Sequence, residues 1–185
     1  GSVGALFTCF LVIPVINWCA QTYGKLNTFM VSQAVSLLGY IFLWWGFSPE
    51  NPWMMFIPLP LFSFGIGGLF TIMMSMTADI CDMDELETGE RREGTFGAIY
   101  WWMVKFGSAV AGLLSGLIMS YVGFTPGAEV QPEGAITGLR IFYSALPIMG
   151  TLLAMWVMID YDLGEEEAKE IRVKLEEKKS KMAAL

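Results

Sequence analysis

Apolar residues fill most of this chain in five long blocks, and polar residues gather in the short stretches between them. A bilayer-crossing helix needs about 20 mostly apolar residues, at about 1.5 Å of rise each. Residues 3–23 supply the first block, interrupted by Pro14, and residues 28–47 the second. The third, residues 52–78, carries Pro58, Pro60, Gly65, Gly67 and Gly68, which predicts a bend. Membrane helices tolerate such breakers where neighbours satisfy the freed backbone groups. Residues 95–122 and 137–160 complete the set. The pattern predicts an all-α polytopic membrane protein: five transmembrane helices within residues 1–163, then a charged tail helix over residues 164–185.

Composition sharpens this picture by exclusion. Of 185 residues, 55% are apolar and 16% charged, against about a quarter charged in ordinary soluble domains. The mean hydropathy is +0.54. Between residues 3 and 78 the only charged side chains are Lys25 and Glu50, and most acids fall in two clusters, 79–93 and 160–170. Too little polar surface remains for a soluble domain of this size. The net charge of −7 repels phosphate and argues against nucleic acid. Cys9, Cys19 and Cys81 make no disulfide framework, and a cysteine inside an apolar block acts as a small hydrophobe. With no histidine and no metal-ligand cluster, the chain is not expected to be an enzyme or to hold a cofactor.

Basic residues give an orientation. Lys25 follows span one, Arg91 and Arg92 follow span three, and six more lie in the tail. The connections after spans two and four hold none, with Arg140 the only basic residue nearby. The positive-inside rule then puts the N-terminus outside and the C-terminus in the cytoplasm. No cleavable signal is visible, and the opening Gly-Ser-Val-Gly suggests a truncated or processed start. In the tail, Glu165 with Lys169 and Glu170 with Lys174 stand four apart in the favourable order, beside an apolar stripe of Ala168, Ile171 and Leu175. Such a helix is expected to lie against the cytoplasmic face.

Three features could carry chemistry. Lys105 lies about 15 Å into span four, near the middle of a hydrocarbon layer ~30 Å thick, where a lysine costs about 3 kcal/mol. No carboxylate of the chain lies at matching depth. Lys105 therefore either snorkels toward the cytoplasm or pairs with a group on a segment outside this sequence. The second feature is ADICDMDELETGERREG, residues 78–94. Asp79, Asp82 and Glu85 approach a helix C-terminus, whose dipole they oppose, while Arg91 and Arg92 stand ready to compensate them and Glu93 suits the first turn of span four. The stretch is either a soluble loop or an ion-paired latch in which Asp79 or Asp82 accepts from Arg91, from Arg92 or from an arginine of a segment outside this sequence. Thr88–Gly89 reads as a helix stop, and the ligand spacing does not fit an EF-hand. Third, Tyr100, Trp101 and Trp102 could stack on a sugar or a cation, or simply belong to a membrane core. Ser108, Gly112, Gly116 and Ser120 make a small-residue stripe suited to close helix packing alone.

Together, ADICDMDELETGERREG and YWWMVKFGSA, residues 78–109 without a gap, resemble the glycoside–pentoside–hexuronide:cation symporters, the melibiose permease family of the major facilitator superfamily. PEGAITGLRIFYSALP resembles the start of that family's helix XII, so the five spans match helices VIII–XII, the C-terminal portion of a transporter. The resemblance implies a cation-coupled sugar or glycoside symporter of a bacterial inner membrane, working by alternating access with Na⁺ or H⁺ as coupling ion. It implies a substrate and cation cavity around Lys105, with Tyr100, Trp101 and Phe70 nearby. Phe70 falls where the melibiose permease pattern has a sugar-stacking tryptophan, whereas Tyr100 and Trp101 replace smaller polar residues. It further implies a cytoplasmic gate of Asp79, Asp82, Glu85, Arg91, Arg92 and Glu93. The partners would be the bilayer and the N-terminal transporter half, which would supply the cation-binding carboxylates. A non-transporting membrane subunit packing in a larger complex is the alternative, and lysolipid movement, known among relatives of the family, is a third reading.

Overall fold

In the computed structural model, described for residues 2–46, 52–128, 131–132, 134–161 and 163–183, the chain forms six α-helices and one short 3-10 helix. They are α1 (Ser2–Tyr23), α2 (Lys25–Gly46), the 3-10 turn Pro52–Phe56, α3 (Pro58–Thr88), α4 (Glu93–Tyr121), α5 (Ala135–Met158) and α6 (Glu165–Ala183). No strand occurs among the described residues. Helices α2, α3, α4 and α5 are each long and apolar enough to cross a membrane. Helix α1 coincides with the first expected span and runs through Pro14 without a break. Residues 47–51, most of the connection expected after span two, lie outside the described residues, as does the side chain of Cys9.

The prolines and glycines of the third span do not interrupt its helix. Its two prolines sit at the first turn of α3, where a missing N–H costs nothing. The helix then continues unbroken to Thr88. Its glycines serve contact instead. A methyl group at Gly65 would collide with Ser36, and one at Gly68 would come within 2.5 Å of the Ser32 hydroxyl. Gly39 of α2 answers from the other side, lying against the backbone of Phe62. The backbones of α2 and α3 therefore approach closely, as small residues permit in membrane helices. Gln33, almost fully buried, donates from Nε2 to the Gly65 carbonyl at 3.0 Å. Ser32 and Ser36 bond to backbone carbonyls on the same seam.

At the α1–α2–α3 junction, Val12, Ile16, Phe29, Ile72 and Met76 form a small apolar core. Helix α5 packs on α2, and α6 lies on the C-terminal part of α3. Helix α4 touches the rest only sparsely: none of its described residues is buried. Large apolar side chains such as Trp45, Trp102, Leu113 and Trp156 face outward. Such a skin belongs in hydrocarbon. The α1–α2 turn at Gly24, the α3–α4 connection and α6 gather at one end of the bundle, where Lys25, Arg91 and Arg172 all reach acids of α3.

Candidate functional site

Residues 79–88 are helical, so the acids read as part of a loop belong to the last three turns of α3. Nothing from Asp79 to Thr88 breaks a helix, and Met, Glu and Leu favour one. The stop comes at Gly89, whose φ of 78° suits glycine and whose N–H returns to the Glu85 carbonyl at 2.9 Å. That is the Thr88–Gly89 stop expected from the sequence. Only residues 89–92 connect α3 to α4, and Glu93 opens α4 as its first-turn acid.

Five carboxylates in the last turns of α3 oppose its dipole. Asp79, Asp82, Asp84 and Glu85 each have a cationic partner. Asp79, only 3% exposed, receives both Lys25 and Arg172. Lys25 opens α2, where a cation also opposes the dipole, so one ion pair corrects two helix ends. Arg172 Nε reaches on to Asp82 at 3.5 Å. Glu85 lies 2.9 Å from Arg91 and 2.7 Å from Lys179. Arg91 also meets Glu93 at 3.0 Å and, more loosely, Asp82 at 3.9 Å. Glu93 first, then Glu85, hold the Arg91 guanidinium still further in its charged form than usual. Arg92 forks onto both oxygens of Asp84, and Lys178 donates to the Leu86 carbonyl at 3.3 Å.

The cluster corrects the expected latch at one point. Asp79 does not pair with Arg91 or Arg92; its cations come from residues 54 positions before it and 93 after it. Lys25, Arg172, Lys178 and Lys179 were not singled out as site residues. One signal was available for the tail: Arg172 and Lys179 are seven apart, two helical turns, and so share a face. That face borders Ala168, Ile171 and Leu175, all buried by docking on α3.

The other expected site is open. Lys105 is exposed on α4 and makes no hydrogen bond or ion pair among the described residues. Tyr100 and Trp101 meet edge to face at 5.4 Å. Phe70 is partly exposed on α3. Among the described residues no hydrogen bond or ring contact joins it to Tyr100, Trp101 or Lys105. The small-residue stripe is bare as well, since a methyl group at Gly112 or Gly116 would meet nothing within 4 Å. Between α4 and α5 runs an apolar groove of about 500 Å³ lined by Gly107, Leu114, Phe142 and Pro147 among others.

Long apolar helices with an outward apolar skin, joined at one end by an ion-pair cluster, define a polytopic integral membrane protein. The chain belongs to the MFS/sugar transport protein family, whose profile matches residues 2–165. It is 26% identical over 183 residues to the isoprimeverose transporter of Lactiplantibacillus pentosus, covering 99% of this chain and 38% of that protein. It is 28% identical over 166 residues to the glucuronide carrier protein homolog of Escherichia coli strain K12, covering 90% and 36%. It is also 30% identical over 103 residues to the sodium-dependent lysophosphatidylcholine symporter 1-A of Danio rerio, covering 55% and 19%. The chain thus spans less than two-fifths of the length of each of these relatives, all of which are named as transporters or carriers.

Proposed function

We propose that this chain is the C-terminal portion of a cation-coupled sugar or glycoside symporter that works by alternating access. The observation that carries the reading is Lys105, an exposed ammonium midway along an apolar helix with no partner among the described residues. Its energetics call for a wet cavity or a carboxylate, and the transporter relatives supply the setting in which such a cavity exists. Substrate then binds near the midplane between two halves, with Lys105, Tyr100, Trp101 and Phe70 lining this half's side. Five helices, α1 to α5 within residues 1–163, correspond to helices VIII–XII. Residues 164–185 form the cytoplasmic tail, and Na⁺ or H⁺ is the coupling ion.

The gathering of Lys25, Arg91, Arg92 and the basic tail at one end supports a cytoplasmic placement of that end, with the N-terminus outside, in a bacterial inner membrane. Asp79, Asp82, Glu85, Arg91, Arg92 and Glu93 serve there as the cytoplasmic gate. The alternative, a non-transporting subunit, would use the bare stripe of α4 to pack against a partner. Reconstitution of the full-length protein into proteoliposomes decides between them. Glycosides and pentosides should accumulate only with an inward Na⁺ or proton gradient. No uptake of any of them under either gradient would favour the subunit.

A further inference from the structure

Helix α6 is anchored on the gate acids themselves. Its apolar stripe, Ala168, Ile171 and Leu175, is buried on the C-terminal part of α3. On the flank of that stripe Arg172 holds Asp79 and reaches Asp82 at 3.5 Å, while Lys179 holds Glu85 at 2.7 Å and Lys178 takes the Leu86 carbonyl. Every one of these partners lies within this chain. The tail therefore satisfies the same carboxylates that a cation from another part of a transporter would need.

We propose that α6 is a releasable strap on the cytoplasmic gate: docked, its Arg172 and Lys179 occupy the acids at the end of α3, beside the Lys25–Asp79 tie to α2, and undocked, it frees Asp79, Asp82 and Glu85 to rearrange. The gate part of this statement rests on the functional reading above, whereas the docking does not. The apolar stripe is short, and both cations are about half exposed, at 50% and 47%. Such contacts are individually weak and screened by salt, which suits a contact that must come and go.

The test uses full-length protein in inside-out vesicles, with Cys9, Cys19 and Cys81 changed to alanine. Ala168→Cys reports docking and Tyr100→Cys reports the path from the cytoplasm, each by its rate of labelling with a membrane-impermeant maleimide. The pair Arg172→Gln and Lys179→Gln should raise labelling at both positions by about threefold or more. High salt should raise labelling at Ala168→Cys without any change of sequence. Unchanged labelling at Ala168→Cys under both treatments would overturn the strap. So would a rise there with no change at Tyr100→Cys. Arg91→Gln tests the gate from the α4 side, because the ion pairs of Arg91 are to Asp82, Glu85 and Glu93 and none is to a residue of α6. If Arg91→Gln leaves Tyr100→Cys labelling unchanged, the gate reading fails, whatever the tail does.

Discussion

Asp79 has the strongest claim among single residues. It is nearly fully buried and receives cations from the first turn of α2 and from α6, so it fastens three helices. Breaking a buried pair on one side costs about 3–5 kcal/mol. Half exposure of Arg172 and partial exposure of Lys25 reduce that here to about 2 kcal/mol for Asp79→Ala. Denaturant or thermal melts in detergent should show this loss, and a change under about 0.5 kcal/mol would mean that the pairs contribute nothing net. The acid at position 79 was visible in the sequence as a site, but its partners were not. Pairings 54 and 93 residues apart are set by how α2 and α6 pack on α3, which local spacing does not encode. The Arg91 contacts to Glu85 and Glu93 were within reach, because they span only six and two residues.

At the scale of elements, periodicity served well where an apolar block met a clear stop. The ends of α4 and α5 fall within about two residues of the expected blocks, and the tail stripe is the docked face of α6. At α3 the apolar block ends at residue 78, but the helix runs on through the acids to the expected Thr88–Gly89 stop, because lysines and arginines neutralise its C-terminus. In the same helix Gly65 and Gly68 make room for α2, and α3 runs through them without interruption. This contrast gives a paired prediction. In the isolated chain Gly68→Ala should destabilise by about 1–3 kcal/mol, because the new methyl overlaps Ser32. Gly112→Ala and Gly116→Ala should be neutral or stabilise by up to about 1 kcal/mol, because space is open and alanine favours the helix. Equal effects at the three positions would show that the α2–α3 seam is looser than its geometry.

For the whole molecule, orientation is the first matter open to direct measurement. In intact cells, an impermeant thiol reagent should reach a cysteine at Ala128 but not one at Gly89 or Lys174. Equal labelling at all three would reverse or abolish the proposed topology. The unequal packing of the bundle bears on the mechanism more closely. Helices α2 and α3 are sealed together, whereas α4 carries its lysine and bare glycines on a helix with no described residue buried. A helix exposed to that extent, with a charge at its middle, is stable only beside a complement of suitable polarity.

Lys105→Met tests that claim most directly, in two settings at once. In the isolated chain the substitution should leave the melting temperature unchanged or raise it, because an unpaired charge leaves the apolar layer. In the full-length protein the proposed function requires that it abolish Na⁺- or H⁺-coupled sugar uptake into proteoliposomes, because the carboxylates proposed to face Lys105 would lose the charge that tunes their affinity for the ion. Normal coupled uptake by the full-length Lys105→Met variant would contradict the account and leave Lys105 as a side chain that only snorkels to the cytoplasmic surface.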